Sequence, residues 1–149
     1  MRPRGDKIPK HGKAAPNLNA ASKDVASADR ASGDISNHEL ARWCAREAVE
    51  RKGEDVLLLD LREISSVCDF FVVISATSEA HVWALAEGLR RQLKDEYGIR
   101  PWHVEGRTGD RWVLLDCVDW VVHIFHHETR EHYQLERLWG DAPRETFKS

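Results

Sequence analysis

The chain has 149 residues, 42% hydrophobic and 32% charged, which fits one globular domain with some additional unstructured sequence. No apolar run approaches the ~18 residues needed to cross a bilayer, and the three cysteines lie too far apart for a disulfide framework or a C-x-x-C zinc site. Residues 1–36 hold seven Lys/Arg and four Asp/Glu, leaving 15 of the 22 Lys/Arg and 21 of the 25 Asp/Glu to residues 37–149. This acidic balance argues against direct nucleic-acid binding and suits docking on a basic protein, although mild acidity also serves solubility alone.

The N-terminal segment, residues 1–35, has no sustained apolar periodicity and no aromatic residue. It would bury too little apolar surface to offset the entropy lost on ordering, so we predict a disordered N-terminal extension. It has basic residues but no apolar stretch behind them, which argues against a secretory signal. Its four aspartates argue against a transit peptide without excluding one. We therefore expect the domain over residues 36–143 and a short tail over residues 144–149.

Two amphipathic helices are predicted from apolar residues that recur every three or four positions. The first follows a capping-box stretch at Ser36, ends at Gly53 and has the apolar positions Leu40, Trp43, Cys44 and Ala48. The second is capped by Thr77 or Ser78, ends at Gly98 and has the apolar positions Val82, Leu85, Ala86, Leu89 and Leu93. Two short apolar runs, "DVLLLDL" and "CDFFVVISA", lie between these helices and predict strands.

The remaining elements follow the second helix. "PWHVEG" predicts a brief third strand, and "WVLLDCVDWVVHIF" predicts two more strands separated by a short break. Residues 128–138 then begin as a helix. The order α-β-β-α-β-β-β-α predicts an α/β fold with a mixed five-stranded sheet flanked by helices.

The break between the last two strands is flanked by Asp116 and Asp119. If Cys117 and Val118 form a two-residue turn, these carboxylates face each other and could hold Mg²⁺, as phosphoryl-transfer enzymes require. Cys-Val lacks the Gly or Asn of a primed hairpin turn, however, so a longer loop is equally consistent with the sequence. The alternative to a Mg²⁺ site is that both aspartates are solvated residues at the ends of their strands.

Three further candidates are weighed on pattern alone. Trp112 is either a core residue or an exposed binding anchor, and its polar neighbours favour the anchor. The loop "ISATSEAH" precedes a helix but has no glycine, which favours ordinary capping over phosphate binding. Four histidines near Glu128 lack zinc-ligand spacing, so no metal site is predicted; they are His123, His126, His127 and His132.

Three ordered stretches carry a resemblance to a known family. "DFFVVISATSEAHVWALAEGL" resembles a pattern with an Asp, an aromatic residue and a later S-x-x-H-V. "HVEGRTGDRWVLLDCVDWVVHIF" resembles H-V-E-G, W-V and D-V-V-V-H-hydrophobic-F, and "REHYQLERLWGDAP" resembles R-x-x-Y-x-L-E-x-L-W-x-D-A. Over residues 36–143 the chain is similar to the iojap family, the ribosomal silencing factors. Where the family pattern has a glycine in the hairpin, this chain has Val118. This difference affects the geometry of the loop.

The resemblance implies a fold similar to that of nucleotidyltransferases, without their catalytic activity. It also implies a function. Members bind the large ribosomal subunit on its ribosomal protein L-fourteen and sterically block joining with the small subunit, which represses translation. A role in large-subunit assembly through the same site is the alternative, and an enzyme using the two aspartates is the weakest one. No cofactor, metal, membrane or direct nucleic-acid partner is implied, and a homodimer stays open. The bacterial members imply a cytoplasmic protein, with an organelle as the alternative if the extension is a transit peptide.

When the family's motif positions are matched to this sequence, six residues are candidates for partner binding. None of them is a candidate catalytic residue. Plain core packing is the structural alternative for Tyr133, Leu135 and Leu138. The six are Trp112, Asp116, Tyr133, Glu136, Leu138 and Trp139.

Overall fold

The computed structural model describes residues 35–149, so residues 1–34 of the predicted N-terminal extension lie outside the described residues. The elements in chain order are helix α1 (Asn37–Glu50), strands β1 (Glu54–Asp60) and β2 (Phe70–Ala76), helix α2 (Glu79–Tyr97), strands β3 (His103–Glu105), β4 (Trp112–Asp116) and β5 (Trp120–His126), helices α3 (His127–Tyr133) and α4 (Leu135–Leu138), and strand β6 (Arg144–Phe147). Within this range no helix combines the length and the hydropathy needed to cross a membrane.

The strands form one mixed sheet in the order β3-β4-β5-β2-β1-β6. The central pair β2 and β5 is parallel, and the other neighbouring pairs are antiparallel. The predicted α/β class and mixed sheet are confirmed, but the sheet has six strands rather than five. The prediction of a tail is wrong for residues 144–147, because this segment pairs with β1 as strand β6.

Both long helices begin and end with the predicted capping residues or close to them. The Ser36 side chain accepts a hydrogen bond from the Glu39 amide at 3.1 Å, and Ser78 accepts one from the His81 amide at 3.0 Å. Gly98 has φ 69° at the end of α2, the left-handed conformation that glycine adopts without steric cost. Ser78, not Thr77, is therefore the N-cap of α2.

Helices α1 and α2 pack on one face of the sheet, which we call the helix face. Its core combines alternating residues of β2, β4 and β5 with the apolar stripes of both helices. The largest fully buried members of this core are Phe70, Leu40, Ile74, Leu85, Leu89, Leu93, Leu115, Ile124 and Val56. This extended core fixes the sheet and leaves its opposite face to be covered by the C-terminal part of the chain.

The β4–β5 hairpin differs from a two-residue turn. Asp116 pairs with Val121 rather than with Asp119, and residues 117–119 connect the two strands. Val118 has φ 73°, a left-handed conformation that is costly for a β-branched residue. Its amide donates to the Asp116 carboxylate at 2.8 Å, which helps to hold this turn in the absence of a glycine.

Candidate partner-binding surface

The face of the sheet opposite α1 and α2, here called the open face, has its own smaller core. Residues from β1, β2, β4 and β5 alternate onto it, and α3, α4 and the following turn cover it only in part. Half-buried aromatic and apolar side chains pack at the edge of this core, and they are Phe71, Tyr133, Leu135 and Trp139. Four of the six predicted partner-binding residues belong to the segment that covers this face.

Helix α3 is held on the sheet by Arg130, whose exposed fraction is 8%. Its Nη1 donates to the Asp55 carbonyl oxygen at 2.7 Å and to the Ser75 hydroxyl at 2.8 Å. Its Nε donates to the Glu136 carboxylate at 3.2 Å. This network ties both α3 and α4 to strands β1 and β2.

Trp112 is buried, with an exposed fraction of 7%. Its indole Nε1 donates to Nδ1 of His123 at 3.2 Å, and its ring lies 4.5 Å from that of Phe125 and 5.3 Å from that of Tyr133. The expectation that Trp112 is exposed is therefore wrong in this fold, while its role in partner binding stays a prediction. Its polar neighbours in sequence do not decide its burial, because Tyr133 of α3 covers it.

His123 is buried beside Trp112 on the open face. Burial lowers the pKa of its imidazole to about 3, so the ring is neutral near pH 7. Since Nδ1 accepts the Trp112 hydrogen bond, Nε2 carries the proton, and Nε2 has no hydrogen-bond partner among the described residues. The Phe71 ring packs edge-on against this imidazole, with 4.5 Å between centroids.

The two aspartates of the hairpin occupy different environments. Asp116 is 1% exposed, and burial raises the pKa of its carboxyl group to about 6. Asp119 is half-buried and accepts a hydrogen bond from the Asn37 side chain at 3.1 Å. Asp116 is therefore not a solvated strand end. Within residues 35–149, no group of three or more His, Cys, Asp and Glu residues could hold a metal ion.

The C-terminal candidates divide by exposure. Leu138 is 49% exposed at the end of α4, and Trp139 is half-buried, with its ring edge-on to Phe71 at 6.0 Å. Tyr133 is half-buried against Trp112, and the Glu136 carboxylate is held by Arg130. Of the six predicted residues, Leu138 is thus the exposed apolar one, and Tyr133 and Trp139 are half-buried.

Sequence reasoning missed two residues that shape this surface. Phe71 supports Trp139, and the period of two in β2 would have placed it on the face opposite Phe70. Arg130 opens the quoted motif "REHYQLERLWGDAP", but nothing in the sequence pairs it with Ser75 or Asp55. Such long-range partners become visible only once the sheet places them side by side.

The histidines and cysteines have local structural roles. His81 Nδ1 accepts the Thr77 amide at 3.0 Å, so the loop before α2 is capped by side chains. His126 and His127 stack at 4.5 Å between ring centroids at the end of β5. All three cysteines are free and buried, and burial raises the pKa of the Cys44 thiol to about 12.

A family model described as "Ribosomal silencing factor during starvation" matches residues 34–149. The chain belongs to this family. The Bacillus subtilis ribosomal silencing factor is 45% identical over 109 residues, which cover 73% of this chain and 92% of that protein.

A mammalian protein and a bacterial crystal structure are also similar to this chain. A mouse protein named "Mitochondrial assembly of ribosomal large subunit protein 1" is 30% identical over 96 residues, covering 60% of this chain and 40% of that protein. A crystal structure of a Bacillus halodurans protein has a TM-score of 0.63 and 37% sequence identity, and it covers 74% of this chain and 100% of that chain. The family resemblance inferred from the motifs is confirmed.

Proposed function

We propose that this chain represses translation by binding the large ribosomal subunit and sterically blocking its joining with the small subunit. Ribosomal protein L-fourteen is the proposed docking partner. The observation that carries this proposal is the family match over residues 34–149. The open face supports it, because exposed Leu138 lies next to Trp139 in a folded part with more acidic than basic residues. Apolar anchors in an acidic surrounding suit a basic protein partner.

We assign different tasks to the six candidate residues. Leu138 and Trp139 make the apolar contact with the partner, while Tyr133 and Glu136 hold the α3–α4 segment in position. The remaining two candidates, Trp112 and Asp116, act from beneath this surface, since both are buried. Their substitution would therefore affect binding through the fold rather than through a lost contact.

The proposed activity needs no catalytic step and no cofactor. The carboxylate of Asp116 accepts the Val118 amide, and that of Asp119 accepts the Asn37 side chain. Both groups thus have protein partners that stabilise the hairpin and its contact with α1. Steric exclusion requires only that the bound domain occupies the surface that the other subunit would contact.

A role in large-subunit assembly through the same surface is the second candidate. It is favoured by the mouse relative, whose name describes mitochondrial assembly of the large subunit. The same name keeps an organellar location open beside the cytoplasmic one that we propose. The two functions differ in their target, because an assembly factor acts on maturing particles and a silencing factor acts on finished subunits.

Sucrose-gradient sedimentation of purified large and small subunits tests the proposed function. We expect the chain to co-migrate with large subunits and to reduce the fraction of joined ribosomes. Co-migration with no effect on joining would favour the assembly role, and absence of both would overturn the proposal.

Pull-down of isolated ribosomal protein L-fourteen then tests the docking partner. Sedimentation velocity of the free chain tests whether it is a homodimer.

A further inference from the structure

The loop between β1 and β2 carries exposed apolar side chains that none of the six candidates includes. Ile64 and Val67 are each 43% exposed. Within residues 35–149 the exposed large hydrophobic residues are these two and Leu138. Single exposed apolar residues are ordinary in globular proteins, whereas a group of them in one place marks an interaction surface.

This loop is ordered by its own hydrogen bonds. The amides of Ile64 and Ser65 both donate to the Leu61 carbonyl, at 3.1 and 2.9 Å, and the Val67 amide donates to the Ser65 hydroxyl at 3.1 Å. Both ends are fixed, since Leu61 and Cys68 are buried. The exposure of the two apolar side chains is therefore imposed by the loop's internal bonding.

The loop lies at the same corner of the open face as the segment after α4. Leu61 and Cys68 belong to the open-face core together with Ala142, and Trp139 packs against that core. The Asp60 amide donates to the Pro143 carbonyl at 2.9 Å, which joins the start of the loop to the turn after Trp139. The exposed side chains of the loop and of α4 thus flank one shared core.

The β1–β2 loop is acidic, since Asp60, Glu63 and Asp69 outnumber Arg62, whereas exposed Arg137 and Arg144 accompany Asp141 in and after α4. Glu63 and Asp141 are exposed beside the apolar side chains. Arg62 is already paired, because its guanidinium donates to the Asp60 carboxylate at 2.7 Å. Exposed carboxylates disfavour the phosphate backbone of RNA and favour lysine and arginine side chains.

We propose that Ile64, Val67, Leu138 and Trp139 form one docking surface, the apolar corner, for a basic protein of the large ribosomal subunit. This inference rests on the proposed function and extends its binding site to the β1–β2 loop. The loop then contributes apolar contacts through Ile64 and Val67, and its exposed Glu63 pairs with a basic side chain of the partner. Burying such side chains at the centre of an interface excludes water from them.

The test compares full-length variants in binding to purified large subunits. The double variant Ile64→Ser/Val67→Ser removes apolar contact without adding charge, and we expect binding at least tenfold weaker, or about 1.4 kcal/mol. Its thermal midpoint should stay near that of the wild type, because both side chains are exposed. Ala84→Ser, on the exposed surface of α2 beyond the helix face, is the matched control and should bind as the wild type does.

Three outcomes would overturn the inference. Wild-type binding by the double variant would show that the loop makes no contact. Stronger binding by Glu63→Lys would indicate RNA rather than a basic protein, whereas we expect it to weaken binding severalfold. A wild-type dimer that becomes a monomer in the double variant would assign the corner to self-association. If the wild-type chain itself does not bind large subunits, the proposed function fails first, and this result is distinguishable from the other three.

Discussion

The two faces of the sheet are covered in different ways. Helices of 14 and 19 residues lie on the helix face, and their apolar stripes are buried in its core. The open face is covered by helices of seven and four residues and by a turn. The exposed large hydrophobic residues of the described part lie at the end of α4 and in the loop that borders the open face.

This difference separates stability from binding within one sheet. The helix face buries its apolar surface within the domain, so its residues are expected to act through folding. The open face has a buried floor, which includes Trp112 and His123, and a partly exposed edge at Trp139 and Leu138. Substitutions in the floor and at the edge should therefore have opposite consequences for stability and for binding.

The largest effect is expected for Trp112→Ala in the floor of the open face. Loss of a buried aromatic side chain leaves a cavity and typically costs ~3–5 kcal/mol in the free energy of unfolding. It also leaves Nδ1 of His123 without its indole donor. Denaturant-induced unfolding measures this cost directly, and any loss of subunit binding should follow from the fraction unfolded.

Trp112→Phe is the control for that measurement. It retains an aromatic ring against Phe125 and Tyr133 but removes the hydrogen bond to His123, so its cost should be clearly smaller than that of Trp112→Ala. A change of less than ~1 kcal/mol for Trp112→Ala, together with a large loss of subunit binding, would return Trp112 to the surface as an anchor.

Much of the helix face could be predicted from the sequence. The stripes of α1 and α2 repeat at helical spacing, and Ser36, Ser78 and Gly98 act locally as caps. Strand β6 could not be predicted, because "RETF" has neither an apolar run nor a turn signal. It forms by long-range pairing with β1, whose last residues precede it by more than 80 positions.

The open face was less predictable for the same reason. The chain breaks between α3 and α4 at Gln134, which has φ 47° and no glycine to signal the break. The fate of Trp112 depends on Tyr133, which lies 21 positions away, and not on its charged neighbours. Tertiary contacts decide which candidate residues lie in the buried floor and which lie at the exposed edge. The sequence pattern does not contain these contacts.

A smaller, pH-dependent effect should distinguish two buried groups on the open face. Burial raises the pKa of Asp116 from 3.8 to about 6, so its stabilising contribution is full below pH 3.8 and is lost as the pH rises to 6. Burial lowers the pKa of His123 from 6.5 to about 3, so its contribution is full above pH 6.5 and is lost as the pH falls to 3. The two contributions oppose each other between pH 4 and 6.

Single variants should reveal each contribution. At 1.36 kcal/mol per pKa unit, each group changes the free energy of unfolding by up to ~3 kcal/mol across this range. Asp116→Asn should lose stability as the pH falls from 6 to 4, because His123 then acts alone. His123→Gln should lose stability as the pH rises from 4 to 6. Denaturant titrations at several pH values measure both slopes, and profiles parallel to the wild type would contradict the assignment.

The smallest effect on stability is expected at the edge of the open face, for Leu138→Ser. Leu138 is 49% exposed, so the substitution should change the free energy of unfolding by no more than ~0.5 kcal/mol. The same substitution should nevertheless weaken the free energy of subunit binding by ~1 kcal/mol or more, because the partner buries the apolar area that solvent contacts in the free chain. Unfolding and binding are measured on the same preparation, as for Trp112→Ala. A loss of ~2 kcal/mol in stability would place Leu138 in the floor, and unchanged binding would exclude α4 from the docking surface. Only the combination of preserved stability and weakened binding separates the edge from the floor as proposed.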